Sequence, residues 1–198
     1  MHKIAVFVFV VMLGSCTKDN VTVPELKAYL TDEKNGLTKT ISKEGVTVEV
    51  TYRPTDLVWA NELVKTKDKE LQNEIQKTYD SLIYFVFNFS RNGSEIENRY
   101  VSDPAKFTNV INYLSYDIDQ DLYIVVGKDT TQALDVVFSR SFGGANATNL
   151  MAVFGGTDLT NTNKDLKVLF NDTMFGLGSN QFEFKINDIK NTPSLMLN

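Results

Sequence analysis

"SLIYFVFNFS", residues 81–90, is the most apolar stretch outside the first fifteen residues of this 198-residue chain. It is short and rich in β-branched and aromatic side chains. It is apolar at both alternating sets of positions, which predicts a central strand covered on both faces. Arg91 follows, and then Asn92-Gly93, the dipeptide that best suits a two-residue type I′ turn because both central positions need positive φ. Such a turn pairs Arg91 with Ser94. The second strand is then expected to set Phe89 opposite Ile96 and Phe85 opposite Tyr100.

Working outward, "LTKTISKEGVTVEVTY" (residues 37–52) predicts another hairpin, turning at Lys43-Glu44-Gly45. Val46, Val48, Val50 and Tyr52 alternate with Thr47, Glu49 and Thr51, the two-residue period of a half-buried strand. Arg53-Pro54 ends it. Thr55 and Asp56 then open a helical region that reaches about Tyr79 and breaks near Thr66, with Val64, Leu71, Ile75 and Leu82 on one face. Asp103-Pro104 starts a second helix, with Asp as cap and Pro at the first helical position. Phe107, Val110, Ile111 and Leu114 form its apolar stripe. Strand-like runs follow at 121–127, 133–140, 149–154, 165–170 and 181–186, and the tail after Pro193 can add an edge piece. The order predicts an α+β fold, a largely antiparallel β-sheet with two helices packed on it. No Pro/Gly/Ser-rich linker divides residues 25–198, which are therefore expected to form a single domain.

The N-terminus has a different character. Lys3 is followed by ten uncharged residues, Ile4 to Leu13, too few for a bilayer-spanning helix. Leu13-Gly14-Ser15-Cys16 then places the only cysteine of the chain after two small residues. The run resembles the lipobox of bacterial lipoproteins of the Gram-negative envelope. That resemblance implies that residues 1–15 are a signal peptide and that Cys16 becomes a lipidated N-terminus. Residues 16–24 would then be the lipidated cysteine and its tether, with "TKDNVTVP" (17–24) a flexible spacer. Two or three acyl chains anchor a protein stably where one is marginal. Thr17, not Asp, follows the cysteine, and Lys18-Asp19 resembles the charged signals that send some lipoproteins outward. The expected location is the outer membrane, on its surface or its periplasmic side. Residues 25–198 resemble no family.

Without residues 1–15 the net charge is −6, one below the −5 of the whole chain, because Lys3 leaves and no acid does. A mildly acidic chain is ill suited to bind nucleic acid by counterion release. The single histidine, His2, also leaves, and Cys16 is the only thiol. A Ser-His-Asp triad, a Cys-His dyad and a His/Cys zinc site are thereby closed, and so is a disulfide. Carboxylate chemistry stays open.

Asp117, Asp119 and Asp121 ("DIDQD") have the alternate spacing that opens calcium loops, and they are the metal candidates of this chain. Leu122 and Lys128 stand where such a loop needs glycine and a bidentate glutamate. "SFGGANATN" (141–149) and "FGLGSN" (175–180) lack phosphate-binding motifs and are expected to be mobile connections where a binding surface could sit. Trp59 is expected in the core, its alternative being an exposed platform for a sugar. "DSL" (80–82), "DTT" (129–131) and "DTM" (172–174) resemble O-glycosylation sites of some Gram-negative envelope proteins. The last two are expected in loops, and Ser81 half-buried at a strand start. Together these features predict a lipid-anchored envelope protein without cofactors. It would bind an envelope protein, a glycan or a peptide and would not act as a catalyst. The alternative is a glycan-directed hydrolase that uses carboxylates alone.

Overall fold

The computed structural model describes residues 20–63, 68–156, 159 and 161–196, with backbone alone at 61–63. Leu13, Gly14, Ser15, Cys16 and the Lys18-Asp19 pair lie outside the described residues. So do Val64 and Thr66.

The stretch at 81–90 contains a long strand, β4 (Ile83–Arg91), at the centre of a sheet ordered β2-β3-β4-β9-β8. Its other members are β2 (Thr38–Lys43), β3 (Val46–Arg53), β8 (Asp135–Ser139) and β9 (Thr148–Phe154), all antiparallel. Both expected turns are present. Glu44 and Gly45 have φ of 53° and 74°, and Asn92 and Gly93 have 52° and 72°, as type I′ geometry requires.

The second hairpin stops early. Arg91 pairs with Ser94 as expected, but β5 (Ser94–Glu95) has only two residues, and the chain then turns into a 3₁₀ helix, Ile96–Tyr100. β9 takes the vacated edge, so Phe89 faces Thr148 and Phe85 faces Ala152, not Ile96 and Tyr100.

The inner face of this sheet is covered by a second antiparallel sheet, ordered β11-β10-β6-β7. It comprises β6 (Leu122–Val126), β7 (Asp129–Gln132), β10 (Leu166–Asp172) and β11 (Gly178–Phe184). Phe85 lies 4.9 Å from Phe184 and Phe89 lies 5.4 Å from Phe170, ring centre to ring centre. All four rings are fully buried. The body is thus two facing sheets with helices around them, an α+β fold but not one sheet under two helices. The chain changes sheets at Ala133-Leu134. Ala133 N–H still bonds to Leu122 in the second sheet, while Leu134 N–H bonds to Val153 in the first. Asp129 to Gln132, expected as a loop, are the polar edge strand β7.

Among the described residues five α-helices surround the sheets, not two: α1 (Val23–Thr31), α2 (Asp56–Leu63), α3 (Lys69–Asp80), α4 (Pro104–Asn112) and α5 (Ile186–Lys190). α1 begins at Val23, inside the expected spacer (17–24), and runs on into the expected domain. A capping pair starts it: the backbone N–H and the hydroxyl of Thr22 both donate to the Glu25 carboxylate, at 2.8 and 2.7 Å. Asn20–Val21 form β1, which pairs in parallel with β12 (Ser194–Leu195), the expected tail piece. α3 buries none of its residues and Leu71 is exposed, so its apolar stripe does not reach the core. Ser81 is exposed as well. α4 is capped by Asp103, whose carboxylate accepts from Lys106 N–H at 3.2 Å. The helix continues through a wide π turn (Tyr113–Asp117) and a 3₁₀ turn (Ile118–Asp121). One hydrophobic cluster draws on residues from Leu26 to Leu195. No helix of the described residues is long and apolar enough to cross a membrane.

Candidate functional site

The outer face of the first sheet carries the other set of side chains. Register brings Glu49 beside Asn88 and Asn88 beside Asn149, across three adjacent strands. The three form a directional ladder. Asn149 Nδ2 donates to Asn88 Oδ1 at 2.8 Å, and Asn88 Nδ2 donates to Glu49 Oε1 at 2.9 Å. The chain of amides ends on a carboxylate that retains a second oxygen, Oε2, for another donor. Hydroxyl rungs flank it on the β2–β3 pair: Thr38 to Thr51 and Ser42 to Thr47, each at 2.9 Å. Each such pair stabilises a sheet by a few tenths of a kcal/mol up to about 1 kcal/mol.

Two recesses open over this ladder and share Glu49 and Asn88. One, about 510 Å³, runs past Thr47 and Ser90 to Asn146 in the β8–β9 loop. The other, about 210 Å³, reaches Lys27 and Arg53 beside α1 and α2. Together they make a groove along the outer face, floored by amide, hydroxyl and carboxylate groups.

The loop that walls the groove belongs to the expected "SFGGANATN" stretch, and a buried acid holds it. Glu95 is 1% exposed, and its carboxylate accepts from Ser141 N–H at 3.2 Å and Gly143 N–H at 2.5 Å. Next to it the buried Thr148 hydroxyl donates to Glu97 and accepts from Ile96 N–H. The loop is therefore clamped at its root, contrary to the mobile connection expected. Between the two clamped amides Phe142 turns outward, 79% exposed with φ of 52°, a conformation costly for a bulky residue. Arg140 lies between the rings of Phe142 and Phe107, at 4.5 and 5.1 Å. Glu95→Gln is expected to keep one acceptor and turn an NH₂ against a backbone donor. Amide exchange at Ser141 and Gly143 should then accelerate about tenfold or more, the equivalent of one charged hydrogen bond of about 1.5 kcal/mol. Unchanged exchange would show that Glu95 does not hold the loop.

The 175–180 stretch is not an open binding loop. Phe175 and Leu177 are buried, and Asp172 accepts from Met174, Phe175 and Leu177 N–H at 2.9, 2.8 and 2.5 Å. Thr173, the central residue of "DTM", donates its hydroxyl to Asp121 at 2.7 Å. Trp59 is 4% exposed, which excludes the sugar platform.

The three metal candidates lie on helical turns, not in a loop. Asp121 accepts from Tyr113 and Thr173 through one oxygen, and burial with that carboxylate raises the Tyr113 phenol well above its ordinary pKa. Asp117 is exposed. Asp119 lines a separate recess of about 190 Å³ with Asp135 and Tyr116. Its Oδ1 is buried without a partner among the described residues. No group of three or more metal-binding side chains converges among the described residues.

Another recess, about 350 Å³, lies between the start of α2 and α5, and among the described residues Asp56 is its one carboxylate. Asp56 is already engaged, accepting from Leu195 N–H at 2.8 Å. Burial, then the Asp56 and Asp80 charges, push the Tyr52 phenol there up to about 12. The groove over Glu49, Asn88 and Asn149 is the better candidate, because its polar groups face open space and leave acceptors unfilled.

No family model matches this chain, and no curated protein gives a significant match. A solved structure with some likeness is that of a DUF4426 family protein from Pseudomonas aeruginosa. Identity is 6%, the TM-score is 0.38, and the match covers 75% of this chain and 91% of that one. At that distance it assigns neither family nor activity. The site residues that sequence reading missed are Glu49, Asn88, Asn149 and Glu95. No motif links them, and Glu49, Asn88 and Asn149 are far apart along the chain, so only strand register brings those three together.

Proposed function

We propose that this chain is a lipid-anchored cell-envelope binding module whose ligand seat is the groove on the outer face of the first sheet. Cys16 would carry the lipid, with Leu13, Gly14 and Ser15 its lipobox, and the outer membrane is the proposed location. The single observation that carries the binding role is the Glu49–Asn88–Asn149 ladder, a row of oriented polar groups beneath an open groove. The row of amides, hydroxyls and one carboxylate, set among apolar wall residues such as Leu57, Val86 and Ala147, suits a ligand with both hydroxyls and apolar ring faces, so a glycan is the proposed class. Among the described residues the groove holds one carboxylate where glycoside hydrolysis uses two, which favours binding over catalysis there. The carboxylate alternative would have to work at Asp119 and Asp135.

Calorimetric titration of the purified protein with a panel of envelope glycans tests the reading. Glu49→Gln and Asn149→Ala are expected to weaken binding about tenfold each, or 1.4 kcal/mol. As partly exposed sites, they should shift stability by about 1 kcal/mol or less. A panel without a binder, or binding that neither substitution alters, would remove the proposal. Digestion of the tagged protein on intact cells, compared with lysed cells, separates a surface location from a periplasmic one.

A further inference from the structure

We infer that the β1–β12 end of the protein rests on the lipid surface that holds its anchor, and that the groove's loop-bearing end points away from it. The inference depends on the proposed lipidation of Cys16 and adds to it an orientation and a contact surface.

The first support is the length of chain between the anchor and the fold. Three residues, 17–19, separate Cys16 from Asn20, the first rung of β1. Four residue steps span at most about 14 Å even when fully extended. β1 cannot easily peel away to lengthen this reach. It pairs with β12 at Asn20–Ser194 and Val21–Leu195, and Met196 N–H bonds to Val21 at 2.8 Å. The capped α1 follows at once.

The second support is strand direction. Leu195, in β12, is bonded to Asp56, just beyond the Arg53 end of β3. The wide part of the groove lies at the opposite end of the same strand, by Thr47, Ser90, Gly93 and the 145–147 loop. Thr47 to Arg53 is six residue steps, about 20 Å of strand. The tether therefore holds the β1–β12 end at the bilayer and leaves the groove end about 20 Å farther along the strand, free to face away.

The third is the surface of the β1–β12 end. Val23 and Met196, beside the two short strands, are 40% and 46% exposed. Isolated exposed apolar residues need no explanation. Held within one short tether of a bilayer, however, both are at high effective concentration with respect to lipid.

The test uses the lipidated mature protein in phosphatidylethanolamine–phosphatidylglycerol vesicles that contain a headgroup spin-labelled lipid. Cys16 is the only cysteine, and lipidation consumes its thiol, so one introduced cysteine labels cleanly. Fluorophores on Val23→Cys, on Met196→Cys and on Ser94→Cys report the two ends. Mass measurement of the N-terminal peptide reports the lipid independently. The expected result is a lipid-modified Cys16 and quenching several-fold stronger at 23 and 196 than at 94. A lipid-modified Cys16 with equal quenching at all three positions, or stronger quenching at 94, would overturn the orientation and leave the anchor standing. An unmodified Cys16 would overturn both, and the mass shows which failed.

Discussion

Phe89→Ala is expected to destabilise the protein by about 3–5 kcal/mol, the usual cost of emptying a large aromatic site in a core. Phe89 is fully buried and stands where the two sheets and the β10–β11 loop meet. Its ring stacks on Phe87 at 6.1 Å, meets Phe170 edge-on at 5.4 Å and approaches Phe175 at 5.9 Å. Those partners come from β4, from β10 and from the β10–β11 loop, so the cavity would open between layers and not within one. Strands held in antiparallel ladders cannot collapse into such a space without loss of register, which places the expected cost at the upper part of the range. For a chain of this size, 1 kcal/mol shifts Tm by roughly 2–4 °C, so a fall of about 10 °C or more is expected. Phe89→Leu, which keeps most of the volume, should lose well under half as much. A thermal or denaturant unfolding series on the three proteins checks this. Equal midpoints would mean that the sheets are not packed through Phe89.

Why β4 was legible and its cover was not follows from the same residues. β-branched and aromatic side chains bounded by Asn92-Gly93 specify a strand and a turn through local chemistry alone. Periodicity says that a face is buried, not what buries it. "LYIVV" and "LKVLFND" alternate as strands of one extended sheet would, so the second layer could not be told from a continuation of the first. β7 was missed because Asp129-Thr130-Thr131-Gln132 is polar throughout, as an edge strand can be. α1 carried a readable signal in Thr22 and Glu25, a capping pair at the right spacing, which straddles the boundary drawn at residue 24 between tether and domain. The apolar stripe of α3 was read correctly as a pattern but is not buried. In the candidate site, the loop at 141–147 was visible through its glycines. The ladder was not, because Glu49 and Asn88 are 39 residues apart and Asn88 and Asn149 are 61 apart. Nothing short of the register of three strands relates them.

Asp172→Ala is expected to cost about 4 kcal/mol, from the loss of hydrogen bonds to a charged group at about 1.5 kcal/mol or more each. The carboxylate sits at the end of β10, only 9% exposed, and serves three backbone donors of the loop that leads to β11. Oδ1 takes Met174 and Phe175, and Oδ2 takes Leu177. Alanine would leave these amides facing a small cavity, and two of the bonds are fully buried. Asparagine distinguishes charge from shape. It can keep the oxygen that serves Met174 and Phe175 but turns an NH₂ toward the Leu177 amide, so about half the loss should remain. The damage should not stay local. Phe175 packs on Phe89 and, at 5.8 Å, on Tyr113, while the Leu177 carbonyl accepts from Lys43 Nζ at 2.7 Å and ties this loop to the β2–β3 hairpin. The hairpin carries Thr47 at one edge of the groove. Asp172→Ala should therefore also weaken binding in the groove, whereas Phe142→Ala, at an exposed position, should leave stability within about 0.5 kcal/mol. Unfolding midpoints, read with amide exchange at Leu177 and Lys43, would decide it. Loss of protection at Leu177 alone would mean that the loop is clamped without bracing the groove, and unchanged protection would mean that Asp172 does not clamp it.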